Sequence, residues 1–507
     1  MLWVVGERYL SRRDVLRQGV FGAMALGAAG AVSGSVLSAC STSGTPSASG
    51  AKRFPVTPTT APPEVAGSPY WLRGNFAPVT VETTATELSV TGSLPRELAG
   101  LYVRNGSNPL KGTSPHWFLG DGMVHGMAIE DGKALWYRNR YVQTGFLKNG
   151  GGLGSGAPGG ASSLSNVSVG PHAGRLLSLG EVGAPFELDP SDLSTIGPVD
   201  FGGKLTGNFT AHPKLDPATG NLHAFGYNFT APFLTYYVVD KAGNLTTVQD
   251  VDIPVATMMH DFAITDSDVI FMDLPVAFDL KKAVEMVSVP GSQAVPFEWK
   301  PSLGARLGVM PLGGPTSEIR WVDIDPCYVY HTVNAWREGS NIKLEVCRLD
   351  NTFTPPGTPS AATRRIWTIA TGGDQLRFSE HILDVPPADL PTIDHRYRGR
   401  ASTQSWLGEV TSTKGSLSFT GCQHLNTATG KLDRWIPDRG RTSGEWCFVP
   451  TGDAEGEGYA MAFVYDPGTN TSSLVVLDAQ DVAAGPVAEV ALPVRVPYGF
   501  HGSFVAA

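Results

Sequence analysis

Met259-His260-Asp261-Phe262-Ala263-Ile264-Thr265, followed closely by Val269-Ile270-Phe271-Met272-Asp273-Leu274-Pro275, sets a histidine and an aspartate at the head of a β-branched and aromatic run. The run alternates as a buried strand does and stops at a Leu-Pro signal. Three other stretches repeat the arrangement: Thr210-Ala211-His212-Pro213, Tyr330-His331-Thr332-Val333-Asn334-Ala335-Trp336 and Tyr498-Gly499-Phe500-His501-Gly502. Each places one histidine at a strand edge among aromatic or small residues. Successive histidines are 48, 71 and 170 positions apart, so no single helix or hairpin gathers them.

Outward from these stretches the chain reads as β from Pro69 onward. Strand-like runs include Leu88–Val90, Ala134–Val142, Arg175–Leu179, Phe233–Val239, Leu245–Val251 and Glu318–Ile324. Ile342–Leu349, Arg365–Ile369, Tyr459–Tyr465 and Ser473–Leu477 follow, with Asp-Gly, Asp-Pro and Gly-Asn turns between runs. The 60 Gly and 38 Pro of the 507 residues suit many short strands joined by tight turns, and 42% hydrophobic residues allow a substantial core. Strands this short and numerous predict a sandwich array or a propeller; seven blades would take roughly 63 residues each. The Gly150–Gly160 insert reads as a loop, because it lacks the Lys-Ser/Thr ending of a phosphate cradle.

Charge and cysteine usage exclude several classes. A formal net charge of −9 with no basic cluster in the body argues against a nucleic-acid partner. Cys327, Cys347, Cys422 and Cys447 form no C-x-x-C pair and read as buried structural thiols, although export would permit disulfides among them. Residues 1–39 read as a targeting segment: Ser11-Arg12-Arg13-Asp14-Val15-Leu16 is a twin-arginine pattern, and Leu37-Ser38-Ala39-Cys40 resembles a lipoprotein cleavage box. The run between them is weakly hydrophobic, which suits cleavage and lipidation at Cys40 better than a transmembrane anchor. Cleavage removes four basic and two acidic residues and takes the formal charge from −9 to −11. Residues 40–67 then form a Ser/Thr/Pro/Ala/Gly-rich tether, and 68–507 the folded domain. The expected location is the outer face of a bacterial cell membrane. The twin-arginine route exports folded proteins and so suits an enzyme loaded with metal beforehand.

The inner strand of every blade of a propeller points at one axis, where distant residues can meet. Four neutral imidazoles suit a borderline divalent ion such as Fe(II) and leave positions open in octahedral geometry. A metal-bound histidine usually donates its second N–H to a carboxylate or carbonyl. Glu181, Asp389 and Glu445 stand in suitable strand settings, although on spacing alone each reads as a surface or turn acid.

Several longer blocks carry a resemblance. They are Gly100-Leu101-Tyr102-Val103-Arg104-Asn105-Gly106-Ser107-Asn108-Pro109, His116-Trp117-Phe118-Leu119-Gly120-Asp121-Gly122-Met123-Val124-His125-Gly126, Tyr137-Arg138-Asn139-Arg140-Tyr141-Val142 and the four histidine blocks in order. Over nearly all of 68–507 the chain resembles the carotenoid cleavage oxygenase family, which also contains lignostilbene dioxygenases and retinoid isomerases. The resemblance implies an all-β fold, a seven-bladed β-propeller capped by a dome of loops and short helices. It implies one Fe(2+) per subunit on the axis, held by His212, His260, His331 and His501. Glu181 and Glu445 would each accept an N–H from a ligand histidine. The third family position, normally Glu, falls on Asp389, one methylene shorter, so its hydrogen bond is open to three outcomes: made with a shifted backbone, made through water, or not made at all.

The implied reaction is O2-dependent scission of an alkene C=C bond into two carbonyl products. A carotenoid or apocarotenoid is the expected substrate, with a hydroxylated stilbene as the alternative. Stilbene-cleaving relatives hold the phenol with a Tyr and a Lys, whereas the Tyr137–Val142 block offers Arg138 and Arg140. Phe278 to Val289 mixes apolar residues with a Lys pair and is similar in position to the family's membrane-dipping patch; an ordinary dome helix is the alternative. His116 and His125 are expected in loop and turn packing, and His172, His223, His381, His395 and His424 in structural or solvated places. Two other classes stay in view: an exported, non-enzymatic propeller lipoprotein that binds a ligand, and a calcium or zinc hydrolase, which four imidazoles disfavour because calcium prefers oxygen ligands.

Overall fold

The structure, a computed structural model, describes residues 68–150, 163–289, 292–353, 361–413 and 416–507. The proposed signal peptide (1–39), the tether beginning at Cys40 (40–67) and residues 151–160 of the Gly-rich loop lie outside them. Seven antiparallel sheets of four or five strands form a β-propeller, with one two-stranded ribbon in addition. The axial strands are Ser168–His172, Lys214–Leu215, Ala263–Ile264, Tyr328–Glu338, Ala388–Ile393, Cys447–Pro450 and Gly502–Ala506.

The strand pattern follows from blade packing. Middle strands such as Leu222–Tyr227, Leu234–Val239 and Asp268–Asp273 are buried on both faces and read as continuous apolar runs. The outer strand Leu245–Val251 alternates buried and exposed, because its blade edge meets solvent. Aromatic side chains fill the layers between blades. Phe225, Tyr236, Phe262, Phe271, Tyr328 and Trp367 share one layer, and Trp406, Trp435, Trp446 and Phe448 another. Both chain ends close the ring: Gly502–Ala506 pairs with Gly100–Ser107, and Val90–Gly92 with Pro486–Ala491. Closure of this kind ties the first and last blades into the ring and leaves only the short outer edges of the blades.

The expected boundaries of Arg175–Leu179 and Leu245–Val251 match the structure, while the run expected at Leu88–Val90 falls at Val90–Gly92. The opening stretch differs from its expectation. Pairing starts at Ala263, not at His260. The Asp261 carboxylate accepts the Phe262 N–H at 2.8 Å, so this part of the backbone is satisfied without a strand partner. Cys327, Cys347, Cys422 and Cys447 are free and buried, so no disulfide joins them. The helix Leu280–Ser288, capped by Asp279 at the N–H groups of Lys281 and Lys282, and the 3-10 turns Tyr70–Leu72, Gly74–Phe76 and Trp117–Leu119 lie outside the blades. Among the described residues no helix is long and apolar enough to cross a membrane.

Candidate metal centre

His212, His260 and His501 stand immediately before the axial strand of their blades, and His331 lies within Tyr328–Glu338, where the register slips between Val329 and Thr332. His501 needs glycine on both sides. A Cβ at Gly499 would lie 2.6 Å from the Asn105 carbonyl oxygen, and one at Gly502 would lie 2.3 Å from that of Val103. Glycine is the residue that admits such backbone approach. The segment is then tied down by Asn105 N–H to the His501 carbonyl (3.0 Å) and Phe500 N–H to the Asn105 carbonyl (2.9 Å).

The four rings meet. One nitrogen from each of His212, His260, His331 and His501 lies within 4.8 Å of all the others. Ring centroids are 4.4 Å apart for His212 and His260, 4.6 Å for His212 and His501, and 4.8 Å for His331 and His501. Side-chain exposures of 8, 10, 11 and 13% put the group out of bulk water without sealing it.

Three carboxylates stand behind three of the rings. His501 Nδ1 donates to Glu445 Oε1 at 2.6 Å, and Glu445 Oε2 also accepts the Gly502 N–H at 2.6 Å. His331 Nδ1 donates to Asp389 Oδ1 at 2.7 Å. Glu181 Oε1 lies 2.9 Å from His260 Nδ1 but off the line of its N–H, so the close pair completes no hydrogen bond. Each of the seven blades therefore delivers one residue to the axis.

Of the three outcomes open for the short Asp389, the structure takes the first, a bond made with a shifted backbone, while Glu181 is the loose partner. Asp389 sits at a register shift in Ala388–Ile393, with Leu390 in the left-handed region at φ 55°, and also accepts the Leu390 N–H at 2.8 Å. The bulge brings the backbone inward and replaces the missing methylene. Glu181 is instead shared with the Tyr227 hydroxyl, which donates to its Oε2 at 3.2 Å.

These bonds decide what the centre can hold. When Nδ1–H faces a carboxylate, Nε2 carries a lone pair. His331 Nε2 and His501 Nε2 then face each other at 3.1 Å as two acceptors, while His212 Nε2 and His260 Nε2 are buried with no hydrogen-bond partner. Buried polar nitrogens left unpaired are costly, and a shared cation would satisfy all four at once. Burial and the neighbouring rings hold His212 far below the usual imidazole range, and burial holds His331 below it against the opposing pull of Asp389. Burial also acts to lower His260, but Glu181 and Asp261 outweigh it and raise that ring. The residues fit a metal that takes neutral nitrogen ligands.

The other histidines lie outside this group. His116 Nδ1 accepts the Phe118 N–H at 3.2 Å, as turn packing requires. His125 departs from that expectation: it is buried inside the strand Gly122–Glu130, with Nδ1 2.9 Å from the Tyr137 hydroxyl. His172 and His223 are buried structural residues, His424 stacks on Trp406, and His381 is exposed. His395 Nδ1 lies 2.8 Å from Arg398 Nη2. Tyr227 and Asp261 belong to the surroundings of the centre without having been singled out for a role. Tyr227 gave no signal in its own strand, and Asp261 only its place beside His260.

A propeller with a four-histidine axial group backed by carboxylates has the make-up of a protein that could hold a metal ion. Residues 76–506 match the retinal pigment epithelial membrane protein family. A carotenoid cleavage oxygenase of Mycobacterium tuberculosis is 36% identical over 509 residues, covering 88% of this chain and 99% of the relative. A carotenoid 9,10(9',10')-cleavage dioxygenase of Crocus sativus is 35% identical over 504 residues, covering 86% and 89%. The crystal structure of Pseudomonas brassicacearum lignostilbene dioxygenase superposes with TM-score 0.79 at 30% identity, covering 87% of this chain and 99% of the other. The chain belongs to this family and is an oxygenase.

The two bonding patterns predict unequal effects. Asp389→Asn is expected to weaken Co(II) binding to the metal-free protein by about 10–100-fold, because it removes the charge from the acceptor of a well-formed 2.7 Å bond. Glu181→Gln is expected to cost less. Competition against a chelator of known affinity checks the order, and a larger loss for Glu181→Gln would overturn it.

Proposed function

We propose that the chain is a non-haem Fe(II) dioxygenase that cleaves one C=C bond of a carotenoid or apocarotenoid with O2. The supporting observation is the convergence of four imidazole nitrogens, two of them facing each other at 3.1 Å as acceptors and two buried without a hydrogen-bond partner. Bound Fe(II) would supply the activation of O2 at positions the histidines leave open. His212, His260, His331 and His501 would hold it, and Glu445 and Asp389 keep two of the rings in the metal-binding tautomer. Adding O2 across R–CH=CH–R′ accounts for both oxygen atoms in two carbonyl products, with no proton gained or lost. That balance agrees with the absence of an assigned acid or base among the site residues.

An aromatic file supports a long apolar substrate. It runs from His260 to Tyr330 (5.1 Å between centroids), Phe118 (6.1 Å), Phe353 (6.4 Å), Phe297 (5.8 Å), Phe229 (6.2 Å) and Phe278 (4.4 Å). Tyr330 commits its hydroxyl to Thr352 at 2.7 Å and keeps its ring for packing. A stilbene reading is favoured by the lignostilbene dioxygenase superposition. Against it, Arg138 lies over Trp136 and donates to the Ser191 carbonyl, and Arg140 donates to Thr83, Thr84 and Asn139, so both are already engaged within the fold. Anaerobic loading with Fe(II), followed by parallel assays on an apocarotenal and a hydroxystilbene, separates the two. About one iron per chain and carbonyl products from the polyene support the proposal; no iron, or turnover of the stilbene alone, overturns it.

The file ends beside the helix Leu280–Ser288, where Leu280 is 68% and Val284 53% exposed. An apolar pair standing off a capped helix suits docking on lipid, from which a polyene would enter. We place the enzyme outside the cell membrane, lipidated at Cys40, on the twin-arginine and lipobox patterns. A tether-free protein is expected to float with liposomes, and Leu280→Ser with Val284→Ser to remain at the bottom of the gradient. Equal flotation would discard the patch.

A further inference from the structure

Behind the metal centre lies a polar group that the reaction does not use. Asp261 is 2% exposed, yet its carboxylate takes four donors. Oδ1 accepts from Lys214 Nζ at 2.6 Å and from the Phe262 N–H at 2.8 Å. Oδ2 accepts from the N–H and the hydroxyl of Thr332, each at 2.8 Å. That saturates the acceptor sites of a carboxylate. Asp261 follows His260 in sequence, Thr332 follows His331, and Lys214 is two residues beyond His212. Three ligand-bearing segments from three separate blades are thus tied to one another at a single carboxylate.

We infer that Asp261, Lys214 and Thr332 are positioning residues that set the spacing of His212, His260 and His331 for the metal; the inference rests on the metal-centre reading above. A buried ion pair is weak support for stability, since apolar replacements of similar volume are often neutral or better. Its geometric effect is different. Besides side-chain packing and polar contacts further along the strands such as Arg337 to Asp268, three short bonds from Lys214 and Thr332 to one carboxylate tie the three ligand-bearing segments to one another beside the ligands themselves. Three imidazole nitrogens must converge on one ion, and that convergence depends on the relative height of those backbones. His260 makes no well-formed bond to Glu181, so the Asp261 clasp stands as the firmer restraint on its segment.

The test separates position from stability. Metal-free protein is titrated with Co(II), and its visible ligand-field absorption and affinity are followed beside the urea unfolding midpoint without metal. Asp261→Asn is expected to lower Co(II) affinity by about 10–100-fold, the range of outer partners of metal ligands, and to shift the absorption bands. It also leaves Lys214 buried without its counter-ion, so the unfolding midpoint falls as well. Asp261→Asn combined with Lys214→Met removes both charges. That double variant is expected to recover the midpoint while its Co(II) affinity stays about tenfold or more below wild type. Should Asp261→Asn fail to fold, the double variant carries the test. Affinity that returns together with stability, or Asp261→Asn binding as wild type does, would overturn the inference. Wild-type protein that binds no Co(II) would instead overturn the metal-centre reading itself.

Discussion

Changing His331 to alanine is expected to give a folded protein that retains no stoichiometric iron and forms no carbonyl product. The fold should survive, because the strand Tyr328–Glu338 is held along its length by pairing with Asn341–Leu349 and by the core residues Tyr328, Val329 and Ala335. The local cost is the loss of the Asp389 partner. A buried acceptor left without its donor loses about 1–3 kcal/mol, softened here because the Leu390 N–H still reaches Asp389. At the centre the loss is larger. One of four nitrogen ligands disappears, and the remaining rings rest on one well-formed carboxylate bond, that of Glu445 to His501. Elemental analysis and product chromatography read the result, with His381→Ala as the control, since His381 is exposed and outside the group. Full iron and full turnover in His331→Ala would end the four-histidine reading.

Acid is expected to destabilise the protein well before its carboxylates titrate. Burial pushes His223 and His424 down to about 4 in the folded state, against 6.5 for a free imidazole. Below pH 6.5 the unfolded chain therefore binds protons at these sites that the folded chain refuses, so stability falls with falling pH until the folded rings titrate near 4. Each depression of this size corresponds to about 3 kcal/mol over the full window. Both rings are held in place. His223 Nδ1 is 2.6 Å from the Tyr236 hydroxyl, and His424 lies flat on Trp406 with Nε2 3.0 Å from Gln404 Oε1. Urea unfolding at pH 7.5 and pH 5 measures the drop. His424→Gln should reduce the drop between those values by about 2 kcal/mol, and an unchanged drop would remove His424 from the account.

Much of the architecture was legible in the chain. Arg175–Leu179 and Leu245–Val251 are local patterns with turn residues at their ends, and local patterns survive folding because neighbours along the chain enforce them. The four histidine blocks were legible for a related reason, since each carries its own aromatic or small flanks. The carboxylates were harder to read. Asp389 seemed too short until the bulge at Leu390 supplied the reach, whereas Glu181, of the expected length, meets His260 at a poor angle. His125 was expected in a turn because glycines surround it, yet it lies inside a strand. Side-chain length and flanking residues could not decide these points, because hydrogen bonding turns on differences below an ångström and on angle.

The amino-acid sequence alone determined a β fold of many short strands and four histidines suited to a soft-to-borderline metal, because these depend on residue type and near neighbours. Only the tertiary structure decided that the four rings share one axis, that Asp261 links three of their segments, and that Phe118, Phe353, Phe297 and Phe229 line up towards Leu280. Those relations join residues from different blades. Their distances are set by how the sheets tilt and pack around the ring, which no single stretch of chain encodes.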